Sequence, residues 1–145
     1  MNIRNMTEAD LEQVAAIEAA SFSRPWSKQA FEDSMKLPNY IFLVGEINGE
    51  VLGYCGLVCT DTDGNITSIA VKKELRNKGI GYVILKAMVD AAKEKGLIGM
   101  TLEVRKSNEP AIKLYEQAGF NNAGVRKDFY VAPKEDAVIM WKEFA

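Results

Sequence analysis

Histidine is absent from this chain of 145 residues, and cysteine occurs only twice, at Cys55 and Cys59. Without histidine there is no Ser-His-Asp triad, no Cys-His pair and no His-based metal site, and two cysteines cannot build the usual zinc clusters. Any chemistry has to run on carboxylates, hydroxyls, amines or backbone groups, and no metal is expected. The two cysteines stand four apart in an apparent strand, on one face but beyond ordinary disulfide reach, and both read as buried thiols. Proline is scarce, at four residues, and no apolar run approaches a membrane span. The expectation is a soluble, cytoplasmic protein with no membrane role. Charge of either sign is nearly balanced: 18 Lys and Arg against 20 Asp and Glu give a net charge of -2. The overall field offers nucleic acid no attraction, so no direct nucleic-acid role is expected and any anion site must be built locally.

What is present is globular. The hydrophobic fraction of 48% suits one core, and the length suits a single domain over 1–145. Residues 2–6 read as a short strand. Thr7, with Asp10 three residues later, makes a variant capping arrangement for a helix over 8–20, and Ser27 caps a second helix ending near Leu37-Pro38. Between them lies a loop carrying Phe22 and Trp26. Residues 40–47 and 51–60, joined by Asn48-Gly49, read as an antiparallel hairpin, and 66–71 as a further strand. From Gly79 to about Lys95 the apolar period becomes helical, closed by Gly96. Residues 98–105 alternate, with Thr101, Glu103 and Arg105 on the face away from their aliphatic neighbours. A short helix capped by Ser107 or Asn108 stops at Gly119. Strands over 124–131 and 137–144, separated by a polar loop, complete a mixed α/β pattern of a central sheet with helices packed on it.

Arg76-Asn77-Lys78-Gly79-Ile80-Gly81 follows a strand and opens the long helix. The first amides of a helix lack internal acceptors, and two glycines let backbone approach an anion closely, so phosphate or pyrophosphate suits this place. Glycine is common enough that the same letters also describe an ordinary strand-to-helix turn, and they match neither a P-loop nor a dinucleotide fingerprint. Glu103, near a strand end, and Tyr115, on the next helix, form a possible carboxylate and phenol pair for proton transfer, although each also reads as a structural residue. Arg126, Phe129 and Tyr130 could shape a substrate wall. Trp26 either lines the same mouth or covers the end of the core.

Taken together, these segments resemble the GCN5-related N-acetyltransferases. Ile69-Ala70-Val71 followed by Arg76-x-x-Gly79-x-Gly81 is similar to the family's central strand and pyrophosphate loop, and the similarity runs on through 102–108, Ala111 and 114–120. Within the family, Phe22 with Pro25-Trp26-Ser27, 103–108, 124–130 and 135–140 resemble the bacterial ribosomal-protein alanine N-acetyltransferases of the RimI type. The resemblance implies the acyl-CoA N-acyltransferase fold, with a mostly antiparallel mixed sheet, and acetyl-CoA as cosubstrate. It places the pantetheine and acetyl carbonyl on Ile69, Ala70 and Val71, the pyrophosphate on the loop from Arg76 to Gly81, and the cofactor arm against Asn108. Glu103 would be the base and Tyr115 the acid in direct transfer to the N-terminal alanine of a small-subunit ribosomal protein. An α-amine of pKa about 7.8 costs only about 1 kcal/mol to deprotonate at pH 7, against about 4.6 for a lysine amine. Small-molecule amines, internal lysines, a CoA-binding protein without activity, and an additional protein partner stay open at this point.

Overall fold

Apolar residues recur with period two in most of the predicted strands and period 3.6 in the helices, and the two periods set which faces meet. The computed structural model describes residues 1–144. Strands β1 (Asn2–Asn5), β2 (Tyr40–Ile47), β3 (Glu50–Cys59), β4 (Gly64–Val71), β5 (Gly99–Arg105), β6 (Asn121–Val131) and β7 (Lys134–Glu143) form one sheet in the order β1-β2-β3-β4-β5-β7-β6. Every neighbouring pair is antiparallel except β4 and β5. Helices α1 (Leu11–Ser21) and α2 (Lys28–Met35) cover one face, and α3 (Ile80–Glu94) and α4 (Glu109–Gln117) the other. The mixed sheet flanked by helices is thus the expected architecture. Among the described residues no helix is long and apolar enough to cross a membrane.

The face under α3 buries Ile84, Leu85 and Met88 against Leu57, Met100 and Leu102; the face under α1 buries Val14 and Ile17 with Phe31, Phe42 and Tyr54. At about 25 cal/mol per Å² of apolar area removed from water, these two layers supply the main favourable term of folding. A buried carboxylate, Asp10, moors the entry to α1. Arg4 donates to both carboxylate oxygens of Asp10 at 2.7 and 2.9 Å, and the Thr7 amide donates to the same group at 2.8 Å. The Arg4 hydrogen bond, ahead of every other cause, holds the buried Asp10 carboxyl below its usual range.

Two boundaries and one burial differ from the sequence reading. The helix expected over 8–20 begins as a 3₁₀ turn at Glu8–Asp10, with α1 proper starting at Leu11. The polar loop expected before residue 137 is instead strand: Tyr130 pairs with Glu135 and Val131 with Lys134, leaving only a two-residue turn. Its polar composition comes from an exposed turn and from Glu135, whose carboxylate is taken up by Arg105 and the Ser107 amide, contacts that apolar alternation does not signal. Cys55 is fully buried as expected, whereas Cys59 is only half-buried.

β4 and β5 pair at Gly64 with Met100 and at Asn65 with Thr101, and nowhere else. Across β3, Gly56 faces Ser68 while Leu57 faces Ile66, so Thr67 is an extra residue. Such a bulge bends its strand. Beyond it, β4 swings away from β5, and a wedge opens in the middle of the sheet.

Candidate active site

The wedge is a cavity of about 760 Å³. Ile69, Ala70 and Val71 form its β4 wall, on an edge that has no β5 partner beyond Asn65. Extended groups lying there meet unpaired backbone donors and acceptors, as at any open strand edge. At one end stand Asn77, Gly79, Ile80 and Gly81. Gly79 has φ +81°, which a glycine adopts without strain, and a Cβ there would meet nothing within 4 Å. No side chain caps α3, and Val83 is the first amide to find an acceptor, the Gly79 carbonyl at 3.2 Å. The amides of residues 80–82 therefore face the cavity end without acceptors among the described residues, the arrangement that binds anions. An open strand edge running into free helical amides fits an extended molecule that ends in a pyrophosphate.

The loop's two cations are placed differently. Arg76 lines the cavity end, and it is also held by the protein: Nε donates to the Val71 carbonyl at 3.2 Å and Nη2 to Ser21 Oγ at 3.1 Å, so its guanidinium braces the end of β4 against α1. Lys78 is exposed and lies outside the cavity wall. Ser21 and Phe22, which no local pattern singled out as a pair, also line the cavity.

On the opposite wall, Asn108 caps α4, its Oδ1 accepting the Ala111 amide at 3.3 Å. That use leaves its side-chain amide as a donor at the cavity wall. Tyr115 lies about two helix turns further on, lines the cavity and is buried, with its ring 6.1 Å from that of Phe120. Burial pushes the Tyr115 phenol well above its ordinary pKa, with Cys55 and Tyr130 adding to the effect. The phenol therefore carries its proton at neutral pH, while the same burial makes it a weaker acid.

Glu103 projects from β5 on the face its alternation predicted, outside the cavity lining itself. Asn65 Nδ2 lies 3.4 Å from Glu103 Oε1 and 3.0 Å from Thr101 Oγ1, so the last paired residues of β4 and β5 fix the carboxylate beside the wedge. Arg126 Nε lies 3.7 Å from Glu103 Oε2. On β6, outside the cavity lining, Phe129 and Tyr130 meet edge to face at 5.0 Å, and Arg126 lies 5.9 Å from the Phe129 ring. Tyr130 is half-buried and Phe129 exposed.

Trp26 takes the second of its two possible places. It packs on Phe31, Tyr40 and Phe42 at ring distances of 5.3 to 6.4 Å, away from the cavity lining. Its backbone amide donates to the buried Glu18 carboxylate at 2.9 Å, and the Tyr54 hydroxyl donates to the same carboxylate. Glu18 thus fixes the course of the segment between α1 and α2. Its helical position gave no hint of that, because both partners are distant or non-helical. Among the described residues no group of three or more His, Cys, Asp and Glu is placed to hold a metal.

The family described as acetyltransferase (GNAT) matches residues 11–120. A Bacillus subtilis protein provisionally named a [ribosomal protein bS18]-alanine N-acetyltransferase is 41% identical over 96% of this chain and 93% of its own. The Escherichia coli (strain K12) [ribosomal protein bS18]-alanine N-acetyltransferase is 30% identical over 95% of this chain and 94% of its own. The crystal structure of the Escherichia coli ribosomal-protein-S18-alanine N-acetyltransferase superposes with a TM-score of 0.89 at 29% identity, covering 99% of this chain and 94% of that one.

Proposed function

The chain belongs to the acetyltransferase (GNAT) family, and from that membership we propose that it acetylates the N-terminal amine of a protein, the alanine of ribosomal protein bS18. Acetyl-CoA-dependent N-acetyl transfer is the chemistry of the family. The observation that carries the reading for this chain is the continuous path of the cavity. It runs from free amides at the start of α3, along the open edge of β4, to the buried phenol of Tyr115.

The amides of residues 80–82 would hold the pyrophosphate, and the β4 edge at Ile69–Val71 the pantetheine arm and acetyl carbonyl, with Asn108 donating from the far wall. When bound, acetyl-CoA supplies the activated thioester. Glu103 takes a proton from the acceptor ammonium, directly or through water, leaving the nitrogen lone pair free to form the new amide bond. Tyr115 gives its proton to the departing sulfur. The buried Cys55 and the absence of histidine agree with direct transfer and no acetylated enzyme. Arg126, Phe129 and Tyr130 would face the acceptor peptide.

The test is mass spectrometry of matched peptides incubated with acetyl-CoA and the purified protein. One peptide begins with the bS18 alanine sequence; the other is blocked at its N-terminus and carries lysine. One acetyl group on the free alanine alone is the expected result. Acetylation of lysine alone overturns the acceptor, and acetylation of neither overturns both.

A further inference from the structure

Arg105 lies two residues beyond Glu103 on the same face of β5, yet its guanidinium is committed to the protein itself. Nη1 donates to the Pro133 carbonyl at 2.9 Å and to Glu135 Oε1 at 3.2 Å. Nη2 donates to the Ala132 carbonyl at 3.1 Å and to Ser23 Oγ at 3.4 Å. The guanidinium carbon lies 4.3 Å from the centre of the Tyr130 ring. Three segments remote in sequence therefore meet on one planar group: the end of β5, the β6–β7 turn and the link between α1 and α2. Glu135 extends the assembly, accepting the Ser107 amide at 2.6 Å just before α4.

The turn needs this mooring. Between Arg126 and Tyr130 the β6–β7 register is broken, and Asp128 has φ +53°. Beyond the break the tip is held to β7 by only two residue pairs, Tyr130 with Glu135 and Val131 with Lys134. A two-residue-deep tip behind a bulge is a weak lever by itself. Arg105 fixes both turn carbonyls and the face of Tyr130 at once, which a rigid planar fork does and a lysine ammonium cannot.

We propose that Arg105 is a positioning residue for the acceptor. It fixes Tyr130 on one side of the acceptor opening and the Ser23 segment on the other, so that an extended N-terminal peptide meets a preformed slot. This inference rests on the reading of the β6 aromatic wall as the acceptor side. Pre-forming such a slot lowers the ordering cost of binding, so its loss appears in acceptor affinity and not in donor affinity.

The experiment compares the wild type with Arg105→Ala and Arg105→Lys. The expected result is a tenfold or greater rise in KM for the bS18-type alanine peptide, with Kd for acetyl-CoA by calorimetry within twofold of the wild type. Arg105→Lys falls closer to alanine than to arginine. Hydrogen exchange, which needs no acceptor, should show faster exchange at residues 130–134 and 23–26 in Arg105→Ala, with α3 protection unchanged. Equal loss of donor and acceptor affinity, or a fall in kcat with KM unchanged, overturns the proposal. So does unaltered exchange at both segments. If the wild type acetylates no alanine peptide while exchange responds as expected, the acceptor assignment fails and the mooring by Arg105 stands.

Discussion

Gly81→Ala should make the empty protein more stable and the ligand-bound protein less so. Gly81 is the second residue of α3, and a Cβ there would lie 3.5 Å from Leu114 Cδ2 and 3.6 Å from Val71 Cγ2, ordinary contacts that displace nothing. The fold therefore gains alanine's helical advantage over glycine, about 0.5–1 kcal/mol. For a domain of this size that is a rise of about 2 °C in Tm. The same methyl stands at the cavity end where, on the proposed reading, the backbone would approach the pyrophosphate. Losing one charge-assisted hydrogen bond of about 1.5–3 kcal/mol weakens acetyl-CoA by about tenfold to a hundredfold. At acetyl-CoA of about 100 times the wild-type Kd, ligand stabilisation is about 2.7 kcal/mol for the wild type and about 0.9 for a variant bound thirtyfold more weakly. The two melting curves should thus exchange order when acetyl-CoA is added. Thermal denaturation with and without ligand, with calorimetry for Kd, reads both effects. A variant destabilised without ligand would refute the packing argument, and an unchanged Kd would refute the pyrophosphate placement.

Glu103→Gln should keep acetyl-CoA affinity but require an amine that is already neutral, so kcat/KM should climb about tenfold per pH unit up to an α-amine pKa of about 7.8; pH profiles with the alanine peptide check this, and a flat loss across pH contradicts it. Because burial raises the Tyr115 phenol, the wild-type rate should show no decline between pH 8 and 9 from loss of that proton, and Tyr115→Phe should lower kcat by about a hundredfold with acetyl-CoA binding retained. A Tyr115→Phe variant with normal kcat removes the phenol from the mechanism. Asp10→Asn should cost about 2 kcal/mol at pH 7, where the Arg4 pair is charged. The Asp10 carboxyl is depressed on folding, so its contribution is full above its unfolded pKa near 3.9 and lost as pH falls through the lower folded value. The gap between wild type and variant in denaturant midpoint should therefore narrow below pH 4, and a constant gap would contradict the ion-pair account.

Local patterns carried the elements, and long-range contacts carried what the patterns missed. The alternation of 98–105 put Glu103 and Arg105 on one face, as the structure has them. It could not distinguish their roles, because the partners of Arg105 lie about 27 residues downstream and 82 upstream. The glycines at 79 and 81 were legible because a helix start and a positive φ are local demands. Arg76 lines the cavity, but its bonds to Val71 and Ser21 carried no local signal, because these partners come together only through tertiary packing. Trp26 was ambiguous for the same reason: only the folded cluster with Phe31, Tyr40 and Phe42 decides where its ring goes. The hairpin tip at 134–136 carried no apolar alternation because Glu135 and Asp136 are half-buried through polar contacts with Arg105, Ser107 and Asp128.

The parting of β4 from β5 also has a mechanical meaning. Through its backbone the sheet is two stiff plates sharing a seam two residues long, Gly64–Asn65 against Met100–Thr101. One plate carries Ile69–Val71 and the other Glu103, so the opening angle at the seam sets the distance between the proposed donor groove and the proposed base. On that reading a guest lying in the wedge would act as a shim, and an acyl chain bulkier than acetyl would press the plates apart against the α3 layer that spans them and draw the carboxylate away. Discrimination among acyl donors would then follow from the compliance of the sheet and not from a dedicated pocket.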